Sequence, residues 1–204
     1  MMLTALLIVA QVAAQDPRLE RLDPETRSLV VAVVDSARAA GLPTEPLVQR
    51  ALEGATKGAP GTRIIAAVRR LTVDLGVART ALGPRSTAPE LDAAAAALRA
   101  GATPQLLSEL REARQPPLTM ALSVLADLVA SGVPADSASA VVLALAPNAG
   151  DADLVEFRRA VERDISLGAP PGAAAAVRAL NTGIRFTGAD AGPGQPPPRP
   201  PSRP

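Results

Sequence analysis

Residues 58–71 read Gly-Ala-Pro-Gly-Thr-Arg-Ile-Ile-Ala-Ala-Val-Arg-Arg-Leu, and residues 168–180 carry a close copy, Gly-Ala-Pro-Pro-Gly-Ala-Ala-Ala-Ala-Val-Arg-Ala-Leu. Glycine readily adopts the left-handed conformation that ends helices, and proline fits the first turn of a new helix. Each copy therefore predicts a helix end, a tight turn and the start of another helix. Related Gly-apolar-Pro turns begin at Gly41 and Gly132, and a form one residue longer begins at Gly101.

Apolar residues recur at helical spacing between these turns, and no segment alternates as a strand would. The sequence predicts an all-α protein of about eight or nine short helices. They form antiparallel hairpins of degenerate helix–turn–helix repeats, as either a compact bundle or a short right-handed solenoid. Asp23 and Thr44 are placed to cap the first two helices.

The helix that follows Gly58 has the longest apolar seam. Its members recur at alternating steps of four and three: Ile64, Val68, Leu71, Leu75, Ala78 and Leu82. Arg63, Arg70 and Asp74 are expected to face solvent, with Arg70 pairing with Asp74 one turn later. Such a seam suits a coiled-coil dimer or packing within the chain, and its short length favours packing within the chain.

Composition shifts divide the chain into five segments. Residues 1–14 resemble a signal peptide, because a short apolar run ends in Val12-Ala13-Ala14, although no Lys or Arg precedes the run. A first helical unit covers residues 15–83, a Gly-Pro-rich linker 84–89 and a second helical unit 90–187. Residues 188–204 are predicted to be a disordered, Pro-rich tail.

The N-terminal segment admits two further interpretations. It is too short to span a bilayer, which needs about 20 residues. It is therefore either an export signal cleaved after Ala14, a buried N-terminal helix, or an uncleaved segment that associates with a membrane. Cleavage is the preferred interpretation, and it predicts a periplasmic or secreted protein.

Residue types that are rare or missing exclude several function classes. The chain has no Cys and no His, which removes thiol nucleophiles, the usual zinc ligands and the commonest general base. Aromatic residues make up 1% of the chain and the net charge is +1, so neither stacking nor a basic surface favours nucleic-acid binding.

Acidic side chains are the remaining candidates for chemistry. Asn148, Asp151, Asp153 and Glu156 are spaced as oxygen ligands of calcium could be, but they do not match an EF-hand, and helix capping also explains the acids. A carboxylate pair for glycoside hydrolysis would have to come from a group on predicted helix surfaces: Glu109, Glu112, Glu156, Glu162 and Asp164.

Basic side chains suggest structural roles. Lys57 lies at a predicted helix end, where the helix dipole favours a cation, and the sequence around it lacks the spacing of a phosphate-binding loop. The pairs Arg69-Arg70 and Arg158-Arg159 are expected on solvated helix faces.

These observations predict an exported, non-catalytic helical scaffold or protein-interaction module without a cofactor or a metal. Its partner would bind a groove between helices or the Pro-rich tail, whose Pro-Pro-Arg pattern resembles ligands of aromatic grooves. Two alternatives stay open: an enzyme or calcium-dependent module that uses the acids around 151–164, and a membrane-associated protein. No catalytic, cofactor-binding or metal-binding residue is assigned.

Overall fold

The structure is a computed structural model, and it describes residues 16–182. Within this range the protein is all-helical, as predicted, with a short 3-10 helix at Pro17–Arg21 and no strand. Nine α-helices follow in these residues: α1 (Pro24–Ala39), α2 (Glu45–Thr56), α3 (Gly61–Leu82), α4 (Ala88–Ala100), α5 (Pro104–Ala113), α6 (Thr119–Ala130), α7 (Ala135–Leu145), α8 (Asp151–Ser166) and α9 (Pro171–Asn181).

Several predictions concern other parts of the chain. The signal segment 1–14, the last residues of the second unit, 183–187, and the Pro-rich tail 188–204 lie outside the described residues. None of the helices in residues 16–182 combines the length and the apolar character that crossing a bilayer requires.

Five of the connections between helices use the predicted glycine turn. Gly41 has a φ of +70°, its N–H donates to the carbonyl of Arg38 at 3.0 Å, and the N–H of Leu42 donates to the carbonyl of Ala37 at 2.9 Å. This pair of bonds satisfies the last carbonyls of the helix. The same pattern recurs at Gly58, Gly101, Gly132 and Gly168. The apolar residue after each glycine packs against the core: Leu42, Ala59, Ala102, Val133 and Ala169.

The apolar seam of α3 is buried within the protein. Its six members are all buried, and α3 contacts α1, α2, α4 and α5. Because neighbouring helices of the same chain cover the seam, it is a packing surface of the array and not a coiled-coil face.

Eight of the nine α-helices in residues 16–182 form two interleaved rows, and α2 packs on α3, α1 and the 3-10 helix. α1, α3, α5, α7 and α9 contact one another in that order, and so do α4, α6 and α8. The rows are joined by contacts of α3 with α4, of α6 with α7 and of α8 with α9. The predicted units 15–83 and 90–187 therefore meet through a shared core within the described range. α8 and α9 form one end, because no later helix in this range packs on them.

Two details of the sequence prediction are corrected. Asp74 does not face solvent: it is 7% exposed, its Oδ1 accepts from Nε of Arg70 at 3.3 Å, and Nη1 of Arg99 on α4 lies 3.9 Å from its Oδ2. The reason is that α3 is covered on several sides, which a single apolar seam does not reveal. Thr44 precedes α2 but makes no capping hydrogen bond, whereas Asp23 accepts the N–H of Thr26 at 3.0 Å as predicted.

Candidate interaction surface at the end of the helical array

The outer side of α8 carries a regular stripe of exposed residues. Leu154, Phe157 and Val161 fill the buried side of this helix, at steps of three and four. The opposite side has exposed residues at steps of four, three, four and four: Ala152, Glu156, Arg159, Arg163 and Leu167. We call these five residues the α8 stripe.

α9 packs with its alanine side and leaves its larger apolar side chains in solvent. Ala174, Ala175 and Ala179 are buried, while Val177 and Leu180 are 54% and 60% exposed. Leu167, at the end of α8, is 80% exposed. A cavity of about 260 Å³ is lined by both Leu167 and Val177. Three of the five exposed large hydrophobic residues in the described range therefore lie on α9 or directly after α8.

The other copy of the motif is oriented differently. Val68 and Leu71 belong to the copy in α3, and they are 0% and 3% exposed. Val177 and Leu180 occupy the same motif positions in α9 and face solvent. Burying a Val or Leu side chain stabilises a fold by about 1.5–3 kcal/mol, so this side of α9 retains apolar area that an additional surface can cover.

The α8 stripe and the exposed side of α9 together form the end surface. Its eight members are Ala152, Glu156, Arg159, Arg163, Leu167, Ala173, Val177 and Leu180. One ion pair joins the two helices in the described range: Nε and Nη2 of Arg178 each donate to a carboxylate oxygen of Asp164 at 2.7 Å. The hydrogen bonds from Arg178 hold the pKa of Asp164 below its usual value.

The charged side chains of the end surface have no partner within residues 16–182. Glu156, Arg159 and Arg163 form neither a hydrogen bond nor an ion pair through their side chains in this range. All three line a cavity of about 670 Å³ that follows the outer side of α8. The surface therefore offers charges of both signs beside exposed apolar groups.

The structure brings three of the four proposed calcium ligands to one cavity. Asn148, Asp153 and Glu156 line a space of about 610 Å³ between α7, α8 and α9. Asp153 accepts the N–H of Gly150 at 2.7 Å, which is the predicted capping role. Asp151 instead pairs with Nη2 of Arg114 at 2.5 Å. Residues 16–182 contain no group of three or more acidic side chains placed to hold a metal ion.

The carboxylates considered for hydrolysis have ordinary structural partners, apart from Glu156. Glu109 accepts from Nε2 of Gln105 at 2.8 Å, and Glu162 accepts from Nη1 of Arg158 at 2.9 Å. Glu112 is 3.9 Å from Arg111 and lies in solvent. With Asp164 bound to Arg178, these groups pair with neighbouring arginines or accept a side-chain amide on helix surfaces.

The basic candidates are also engaged on helix surfaces. Lys57 donates to Glu53 at 2.5 Å at the end of α2. Arg70 reaches Asp74, and Arg158 lies between Glu162 and Asp127 of α6, 3.5 Å from the latter. Arg69 and Arg159, their neighbours in sequence, are exposed.

Sequence reasoning assigned no role to the end surface. The signal that could have located it is the second copy of the motif, which ends in Val177-Arg178-Ala179-Leu180 and belongs to the last helix of the pattern. Comparison with protein-family models, curated proteins and solved structures found no match to this chain. The description of the end surface therefore rests on the spacing and exposure of its own residues.

Proposed function

We propose that this protein is an exported, non-catalytic helical scaffold that binds a protein partner through its end surface. One observation carries the proposal: motif positions that are core in α3, Val68 and Leu71, are solvent-exposed in α9 as Val177 and Leu180. Arrays of stacked helices need terminal units with a polar outer face for solubility. Exposed apolar side chains grouped on a terminal face are typical of a protein-interaction site.

The absence of His and Cys and the structural partners of most carboxylates support a non-catalytic role. The N-terminal pattern that ends at Ala14 supports export. If the segment is cleaved there, the mature protein begins at Gln15. N-terminal sequencing of the protein recovered outside the producing cells tests this. A protein that keeps Met1 and stays in the membrane fraction would favour the membrane-associated alternative.

The binding role is tested with the wild type and two variants of the full chain, each used as bait in extracts of the producing organism. Leu167→Asp combined with Val177→Asp places two charges on the end surface, whereas Val73→Asp places one on α3, at a side chain that is 61% exposed. We expect the double variant to lose proteins that the wild type and Val73→Asp both retain. Equal retention by all three would contradict the proposal.

Two alternatives are tested separately. Deleting residues 188–204 distinguishes binding through the Pro-rich tail from binding through the end surface. Calcium titration followed by thermal unfolding tests the calcium-dependent alternative: a rise in Tm that is lost in Asp153→Asn would favour it.

A further inference from the structure

We infer that the occupant of the end surface is a second copy of this chain, so that two arrays meet end to end across a twofold axis. The inference rests on the proposed function, because it names the partner of the same surface. A twofold interface brings one patch against its own copy, so the patch must be complementary to itself.

The α8 stripe has this self-complementarity in its charges. Glu156 lies toward the start of the helix, and Arg163 lies two turns later on the same side. Neither side chain has an ion-pair partner in residues 16–182. When two copies of α8 pack antiparallel, the Glu156 end of each stripe faces the Arg163 end of the other. Each Glu156 then meets Arg163 of the partner subunit, which forms two equivalent ion pairs.

The same register matches side-chain sizes. The midpoint between Glu156 and Arg163 along the helix is also the midpoint between Ala152 and Leu167. Pairing Glu156 with Arg163 of the partner subunit therefore sets the exposed Leu167 over the partner subunit's Ala152. A large side chain over a small one allows helices to approach and interdigitate. Arg159 lies beside the axis and therefore close to Arg159 of the partner subunit. Glu156 lies one turn away on the same helix, and its negative charge offsets the repulsion between the two arginines.

The geometry of α9 fits the same axis. The midpoint lies between Arg159 and Ala160, and Ala160 lines two cavities together with Arg178 of α9. An axis that passes beside α8 at this level also passes beside α9 near Arg178. Val177 then lies close to Val177 of the partner subunit, and the exposed apolar side of each α9 is covered by its own copy.

Charge-reversal variants test the register of the two α8 helices directly. Glu156→Arg and Arg163→Glu each turn two attractive contacts into repulsive ones, and the double variant restores opposite charges in exchanged positions. In sedimentation equilibrium of the full chain, we expect the wild type to dimerise. Each single variant should weaken the dimer by about tenfold in Kd, and the double variant should recover most of that loss. Arg69→Glu on α3, another exposed arginine, is the control and should leave Kd unchanged.

A cysteine test locates the axis. The chain contains no Cys, so Val177→Cys introduces a single thiol. In a glutathione redox buffer, two thiols next to the axis form an intersubunit disulfide rapidly, whereas Val73→Cys on α3 should not. Circular dichroism melts of all variants check that the fold is retained.

Three outcomes overturn the inference: a wild type that stays monomeric, a double charge variant no better than the single ones, or Val177→Cys cross-linking no faster than Val73→Cys. A different result would separate the proposed function from the dimer. A monomer whose end surface still captures another protein would remove the twofold dimer and leave the interaction role intact.

Discussion

The carboxylate of Glu90 accepts the backbone N–H of Leu118 at 2.9 Å, across 28 residues of sequence. Its other oxygen accepts the N–H and the hydroxyl of Thr87, each at 2.8 Å. Glu90 is buried, and it joins the start of α4 to the start of α6, two ends that carry partial positive charge. Burial raises the pKa of Glu90, but the hydrogen bonds from Thr87 and Leu118 outweigh it, so the pKa lies below its usual value.

Replacing Glu90 with Gln should destabilise the fold by about 1–3 kcal/mol. The amide group cannot present two accepting oxygens, so one buried N–H loses its partner. Urea unfolding at neutral pH measures the change, and Glu112→Gln at an exposed site is the control. Equal stability of the two variants would contradict this role of the Glu90 carboxylate.

Acid should weaken the attachment of the N-terminal 3-10 helix to α2. Arg18 donates to both carboxylate oxygens of Glu45, at 2.9 and 2.7 Å. These bonds, with a further one from Gln49, lower the pKa of Glu45 to about 2 from 4.5. A depressed carboxyl pKa contributes stability above the ordinary value and loses it as pH falls through the lowered value.

The pH dependence of unfolding free energy between about 4.5 and about 2 should therefore be shallower in Arg18→Gln than in the wild type. Arg21→Gln, at an exposed position in the same short helix, should follow the wild type. Because both partners are largely exposed, we expect a small change. Identical slopes for Arg18→Gln and the wild type would contradict the role of this ion pair.

The seam of α3 predicts that Asp substitutions at two valines of this helix change the stability of the protein by very different amounts. Val68→Asp buries a charge without a partner and should destabilise the protein by about 3–5 kcal/mol. Val73→Asp, on the exposed side, should change stability by less than about 0.5 kcal/mol. Thermal unfolding by circular dichroism separates them. Similar melting curves would contradict the assigned orientation of α3.

Ala substitutions at two glycines with open space around them should change the stability of the protein in opposite directions. Gly76 lies inside α3, where Ala should stabilise by about 0.5–1 kcal/mol because it restricts the unfolded chain. Gly41 has a φ of +70°, and Ala there should destabilise by about 1–2 kcal/mol through backbone strain. Urea unfolding measures both changes, and a stabilising Gly41→Ala would argue against the left-handed turn.

Local features of the fold followed from the sequence because they depend on neighbouring residues. The glycine turns, the Asp23 cap and the α3 seam are all present where the pattern predicted them. Glu90 was less accessible to sequence reasoning. Its contact with Thr87 is local, but its contact with Leu118 depends on how α4 and α6 pack.

The candidate site was harder to predict because the two closely similar copies of the motif are packed differently. The seam of α3 predicts an exposed Asp74, but α4 lies beside it. Val177 has the motif position of the buried Val68, but α9 packs through its alanines. Both depend on neighbours that are distant in sequence.

The sequence by itself determined the helices, their ends and which side of each is apolar, since backbone conformation and side-chain periodicity are local properties. Tertiary structure alone decided which apolar sides are covered. The Val-Arg-Ala-Leu copy in α9 has neighbours on its alanine side only, because α9 closes one row of the array in the described range. That position in the array is what turns a core motif into an exposed surface.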